Sequence, residues 1–152
     1  MKIESLRSPY QKLGGLYHFA RMLDKIRLHQ AGQLPAEYHP NFGLSAGLDG
    51  HLCGFLGVEF GAVCERIRQG GADAEVAEWC FQGGLRPTKI QARVWNGFSR
   101  KFGWNDAAAN FVARVKAEGG LEDRTDIVTV FDLIDLSEGR EHERVPGGVA
   151  DP

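Results

Sequence analysis

Residues 58–84 read VEFGAVCERIRQGGADAEVAEWCFQGG, and their punctuation decides the fold class. Phe60, Val63, Cys64 and Ile67 recur at helical spacing before Gly70-Gly71 stops the run. Asp73 then stands where a cap belongs. Val76, Trp79, Cys80 and Phe81 repeat the spacing up to Gly83-Gly84. Glycine supplies the left-handed backbone in which helices commonly end. Downstream, Thr88 precedes Ile90, Val94, Trp95 and Phe98, with a stop near Gly103. Asn105 or Asp106 precedes Ala108, Phe111, Val112 and Val115, stopped by Gly119-Gly120. Asp123 or Thr125 opens a last helix through Ile127, Val130, Phe131 and Ile134.

Upstream, Ser8-Pro9 has the chemistry of a helix start, and Leu16, Phe19, Leu23 and Ile26 form one apolar stripe. A helix is expected there, ending near Ala31-Gly32. Gly14-Gly15 either delays its start or marks a close approach. Residues 33–57 contain Pro35, Pro40, Gly43, Gly47, Gly50, Gly54 and Gly57, and read as one long irregular loop. Tyr38, Phe42, Leu44, Leu48, Leu52, Phe55 and Leu56 are interleaved, so the loop is expected to be ordered and packed, not a free linker. The expected fold is all-α. It is a compact single domain of five or six short helices over 1–140, followed by a flexible tail at 141–152.

The chain has 152 residues, 43% of them hydrophobic and 25% charged, which fits a globular protein and excludes wholesale disorder. A net charge of −2 argues against a globally basic nucleic-acid binder. There is no apolar run long enough to span a membrane and no apolar secretory segment at the start. Three unevenly spaced cysteines suit a reducing compartment, so a cytoplasmic location is expected. Residues 1–30 carry six basic and two acidic side chains, whereas 118–143 carry two basic and nine acidic. The two ends are expected to neutralise one another. A basic substrate face is the alternative.

The densest polar set lies on the first helix and the segment after it. His18, Arg21, Lys25 and His29 share one helical face, which on periodicity alone is a solvated one. As a functional face, it offers Arg21, Lys25 or Arg27 to a carboxylate or phosphate, with Asp24 and Asn41 completing the binding set. His39 is the candidate general acid or base, Asp49 the group orienting it, and Tyr38 a donor to an oxyanion. Cys53, Cys64 and Cys80 sit in apolar surroundings and read as buried hydrophobes. His39, Asp49, His51 and Cys53 could be imagined around zinc, but no zinc-binding spacing is present, so no metal is assigned. No nucleotide-binding glycine motif and no serine nucleophile motif occurs, and no organic cofactor is expected.

One series of motifs runs through the chain. It includes Leu6-Arg7-Ser8-Pro9, Asp24-Lys25-Ile26-Arg27, Tyr38-His39-Pro40-Asn41, Leu48-Asp49-Gly50, Val94-Trp95-Asn96, Gly103-Trp104 and Glu138-Gly139-Arg140. Together they resemble a bacterial family carried as a domain of unknown function, number 5069, over about residues 6–140. The resemblance implies a single-domain bacterial protein and brings no reaction, cofactor or catalytic residue. The reading of the residues is a small enzyme or ligand-binding protein acting on a small anionic molecule. The rival is a non-catalytic module that meets an acidic protein or nucleic acid through the basic first helix.

Overall fold

The computed structural model describes residues 3–140. The expected tail, 141–152, lies outside the described residues. These contain seven α-helices, one 3-10 helix and no strand. They sort into two compact units, Glu4–Ser99 and a second that holds 100–140.

In the first unit, α1 (Phe19–Gln30) is followed by a 3-10 helix (Ala36–Asn41), α2 (Leu48–Leu56), α3 (Phe60–Arg68), α4 (Asp73–Gly83) and α5 (Lys89–Ser99). Helix α3 packs against α1, α2 and α4. The core joins Leu16, Phe19, Leu23 and Ile26 to Leu52, Leu56, Val63, Ile67, Val76 and Cys80. The apolar stripes read from sequence in α1, α3 and α4 therefore meet one another.

Helix α1 does not start at Ser8-Pro9. The Ser8 hydroxyl accepts from the Tyr10 amide in a tight turn instead. The chain then doubles back through an antiparallel bridge between Leu13 and Leu16. Gly14, at φ +59°, makes that reversal, and a Cβ there would lie 2.6 Å from the Phe81 ring. Both readings of the double glycine hold: the helix begins after it, and an aromatic ring seats on it.

Residues 33–57 are not one irregular loop. They hold the 3-10 helix and α2. Two internal glycines, Gly50 and Gly54, lower the helix propensity of α2 by about 1 kcal/mol each. Burial of Leu48, Leu52, Cys53 and Leu56 on one side overrides that local preference.

Helix α4 begins at Asp73, but the cap position falls to Ala72, whose amide donates to the Glu75 side chain, and not to Asp73. At α5 the Thr88 hydroxyl accepts from the Gln91 amide while the Gln91 side chain accepts from the Thr88 amide. The α5 stripe departs from expectation. Trp95 is buried, but Ile90 and Val94 are each 63% exposed and Phe98 is 39% exposed. Cys64 is only half-buried, whereas Cys53 and Cys80 are buried.

The second unit holds α6 (Ala109–Glu118) and α7 (Val130–Ser137). Neither Asn105 nor Asp106 caps α6, whose cap position is Ala108; Asp106 accepts from the Ala108 and Gly103 amides in the turn before it. Helix α7 starts at neither Asp123 nor Thr125. Thr129 is its cap, in a reciprocal pair with Asp132. Ile127 precedes the helix and is buried with Val112 and Leu133. The Lys116 ammonium donates to the Arg124 and Ile127 carbonyls and so braces the turn between the helices.

Candidate functional site

The polar face of α1 is not solvated. His18, Arg21, Asp24 and Lys25 are all buried, and of the expected face only His29 is exposed. Buried charge is costly unless it is paired. The pairing forms two clusters.

The first is built on Asp49 from α2. One carboxylate oxygen accepts from His18 Nε2 at 2.7 Å, and the other meets Lys25 Nζ at 2.7 Å. The Gly43 amide adds a third bond at 2.9 Å. Gly43 sits at φ +67° against the Phe60 ring, a place that a Cβ would fill at 2.6 Å. Burial alone would raise the Asp49 carboxyl. Lys25 and the His18 N–H outweigh that and hold it well below the usual carboxylate range. Burial also lowers the His18 imidazole below its ordinary value, with Lys25 and Arg21 adding to the effect against the pull of Asp49.

His18 is unusual in two further ways. Its backbone is left-handed, at φ +69°, immediately before α1. Such a conformation is uncommon for a residue other than glycine and costs of order 1–3 kcal/mol. It is held there because the His18 amide donates to the Pro9 carbonyl, while the neighbouring Tyr17 is bonded to Asn96 and Trp95 of α5. Its Nδ1 is buried and has no hydrogen-bond partner among the described residues. With Asp49 ionised, Nε2 carries the proton and Nδ1 keeps a bare lone pair.

The second cluster ties the N-terminal segment to α1 and α4. Arg7 grips Asp24 with two side-chain bonds, at 2.8 and 2.9 Å, and meets Asp73 at 2.8 Å. Arg27 closes on the other Asp73 oxygen at 2.5 Å. Asp24 and Arg27, read from sequence as binding residues, are thus members of a clamp between segments.

The chain turns at Gly32 and carries the 3-10 helix back to α1. Tyr38 places its ring 5.9 Å from the Arg21 guanidinium, whose Nη1 donates to the Arg7 carbonyl. Phe42 stacks on His29 at 4.3 Å. The structure therefore brings Tyr38, Arg21, Lys25 and Asp49 into one region. It turns His39 elsewhere: that side chain is exposed, and its Nε2–H donates to the Leu34 carbonyl at 2.9 Å. Asp49 orients His18, not His39. Asn41 is exposed at the end of the 3-10 helix. His18 was visible in sequence only as one member of a polar face. Its partner lies 31 residues away, beyond the reach of periodicity.

The chain belongs to the DUF5069 family. The matching model is described as "Domain of unknown function (DUF5069)" and covers residues 3–140. The resemblance carried by the motifs is thereby established over nearly the whole chain. No curated protein matches it in sequence.

Among the described residues of this DUF5069 domain, no group of three or more His, Cys, Asp or Glu side chains is arranged to hold a metal ion. His51 donates through Nδ1 to the Gly47 carbonyl, and Cys53 faces the Met22 sulfur, 4.0 Å away. A shallow surface depression of about 460 Å³ is lined by Arg66, Ala74, Glu75, Glu78, Trp79 and Gln82. None of these residues belongs to the His18–Asp49 cluster. No helix among the described residues is long and apolar enough to cross a membrane.

Proposed function

We propose that the protein binds a small anionic molecule beside the buried cationic side of α1 and uses the His18–Asp49 pair for acid–base work on it. The observation that carries this reading is His18 itself. It combines a strained backbone, complete burial, an ionised carboxylate on one ring nitrogen and a bare lone pair on the other. Strain and unsatisfied polarity gathered in one residue are uncommon in a purely structural role.

The roles follow from the chemistry. Asp49 fixes the tautomer, so Nδ1 is the basic atom. Arg21 supplies the positive charge that an anion needs, since Lys25 is already neutralised by Asp49, and Tyr38 is the phenol on the covering segment. Access comes from movement of residues 33–43, which are pinned to the cluster by the Gly43 amide and the Tyr38–Arg21 contact. An acidic partner docking on α1 would instead have to break the Lys25–Asp49 and Arg27–Asp73 pairs. The free thiols suit a reducing compartment, and we place the protein in the cytoplasm.

Nitrogen NMR of the histidine-labelled protein tests the reading. In the absence of ligand, His18 Nδ1 is expected at the shift of an unprotonated ring nitrogen. Titration with inorganic phosphate, citrate and acetate should move that resonance and raise the melting temperature for at least one of them. Tyr38→Phe, which keeps the ring but loses the hydroxyl, should weaken the response. A protonated Nδ1, or a His18 signal that none of the anions moves, refutes the proposal.

A further inference from the structure

We infer that the outer face of α5 docks on an anionic lipid surface, where Ile90 and Val94 enter the boundary between headgroups and acyl chains and Lys89 and Arg93 meet lipid phosphates. Ile90 and Val94 stand one helical turn apart, and each is 63% exposed. Lys89 and Arg93 stand one turn apart beside them, and both are exposed. Two parallel stripes result, one aliphatic and one basic. Neither basic side chain has an ion pair or a hydrogen bond among the described residues. The inner side of α5 is already occupied. Trp95 stacks on Phe55 at 5.5 Å and donates to the Tyr17 carbonyl, and Asn96 bonds to Gly15 and Tyr17. Phe98 packs on His51 and Trp95 and so belongs with that inner side. These contacts fix the helix, and its outer face is presented without rearrangement. The face shares no residue with the His18–Asp49 site.

The two charges are placed at a cost to the helix. Lys89 opens α5, where a positive charge opposes the helix dipole, and no acid stands in the first turn. Arg93 sets a like charge one turn further on. From Trp79 to Asn105 the sequence has five basic residues and no acidic one. An anion from outside relieves both costs. The chain as a whole carries −2, so attraction to an anionic surface has to come from a local face and not from net charge. A nucleic acid suits the charges but gains little from two aliphatic side chains. A protein partner would need a pocket shaped for each of them, and the dominant anchors in such contacts are aromatic or arginine. A lipid surface needs no matching pocket. It yields around protruding apolar side chains, while the long stems of Lys89 and Arg93 carry their charges back to the phosphates.

Co-sedimentation of the full chain with vesicles tests this. The chain is expected to sediment with vesicles of equal parts phosphatidylglycerol and phosphatidylcholine, to stay in solution with phosphatidylcholine alone, and to come off as salt is raised. A basic side chain near such a surface contributes roughly fivefold to partitioning. Arg93→Gln should therefore weaken binding by about that factor. Val94→Ser, which changes no charge, should weaken it as well. Arg68→Gln, at an exposed position on α3, should leave it unchanged. Both α5 positions are exposed, so thermal melting without lipid should not move; if Val94→Ser melts early, Arg93→Gln against Arg68→Gln decides. A chain that ignores the mixed vesicles overturns the inference, and duplex DNA binding in their place would give the face to nucleic acid. It is overturned equally by a folded Val94→Ser that binds as well as the parent, or by Arg68→Gln weakening binding as much as Arg93→Gln.

Discussion

Asp49 sets the charge balance inside the first unit. It neutralises Lys25 and receives the His18 N–H, and all three side chains are withdrawn from water. Removing one partner of such a pair leaves the other buried and uncompensated, at a cost of about 3–5 kcal/mol. Lys25→Met is therefore expected to lower the stability of the chain by about that amount, read as a shift in the urea midpoint. A loss within about 0.5 kcal/mol, as for ordinary surface changes, would mean that the pair is solvated. The cysteines separate in the same way. Burial pushes the Cys53 thiol up to about 12 and that of Cys80 up to about 11. Both should resist alkylation until the chain unfolds. Cys64 is raised too, again chiefly by burial, but it is half-buried, and it should label first in the native protein. Equal native labelling rates for Cys53 and Cys64 would contradict this. The sequence places Cys64 on the apolar side of α3 and so predicts a core position, yet it is half-buried. Position on a face does not say how completely the neighbours cover it.

At the scale of elements, the start of α7 offers a clean measurement. The Thr129 hydroxyl accepts from the Asp132 amide, and the Asp132 carboxylate accepts from the Thr129 and Val128 amides. Thr129→Ala should cost about 1 kcal/mol, and Thr129→Ser much less. Equal losses in the two variants would show that the hydroxyl is not the stabilising group. Periodicity and glycine stops located α3, α4 and α6 well, because in those segments local pattern and burial agree. It failed at α2, where Gly50 and Gly54 argue locally for a loop and only packing against α3 argues for a helix. At α7, residues with cap chemistry occur more than once, and only the folded chain selects Thr129; at α1 the cap position falls to His18, whose side chain makes no cap bond. In α5 the stripe was legible but its destination was not, since spacing alone cannot show what a face meets. The candidate site was half legible. Arg21, Lys25, Tyr38 and Asp49 are legible in sequence as one polar set, whereas the His18–Asp49 pairing is not, because it joins residues 31 apart, and the bond that turns His39 to the Leu34 carbonyl leaves no mark on spacing.

For the molecule as a whole, the buried cluster predicts how stability depends on acidity. The folded state holds His18 below its ordinary value near 6.5. On acidification the unfolded chain takes up that proton first, so stability falls as pH drops below about 6.5. Asp49 is depressed in the folded state. Its contribution is complete above the ordinary carboxylate range, near pH 4, and is lost as pH falls below that. Urea midpoints measured from pH 8 to pH 3 should show two successive declines. His18→Gln, whose amide N–H can still donate to Asp49, should remove the first and keep the second. A first decline that persists in His18→Gln would assign it to another group.

The brace on Tyr17 carries a consequence for how the protein is made. The Trp95 indole donates to the Tyr17 carbonyl, and the Asn96 amide spans the Tyr17 N–H and the Gly15 carbonyl, contacts that bridge 78–81 residues. A ribosome adding about 5–20 residues per second needs roughly 4–16 s to travel that distance. For the later part of that interval, once Asp49 has been added, the nascent chain contains His18, Lys25 and Asp49 but lacks the two residues that fix the backbone just before His18. The His18 ring can therefore take up its folded position only after α5 has been synthesised, which makes the arrival of Trp95 and Asn96 the step that completes the buried His18–Asp49 cluster.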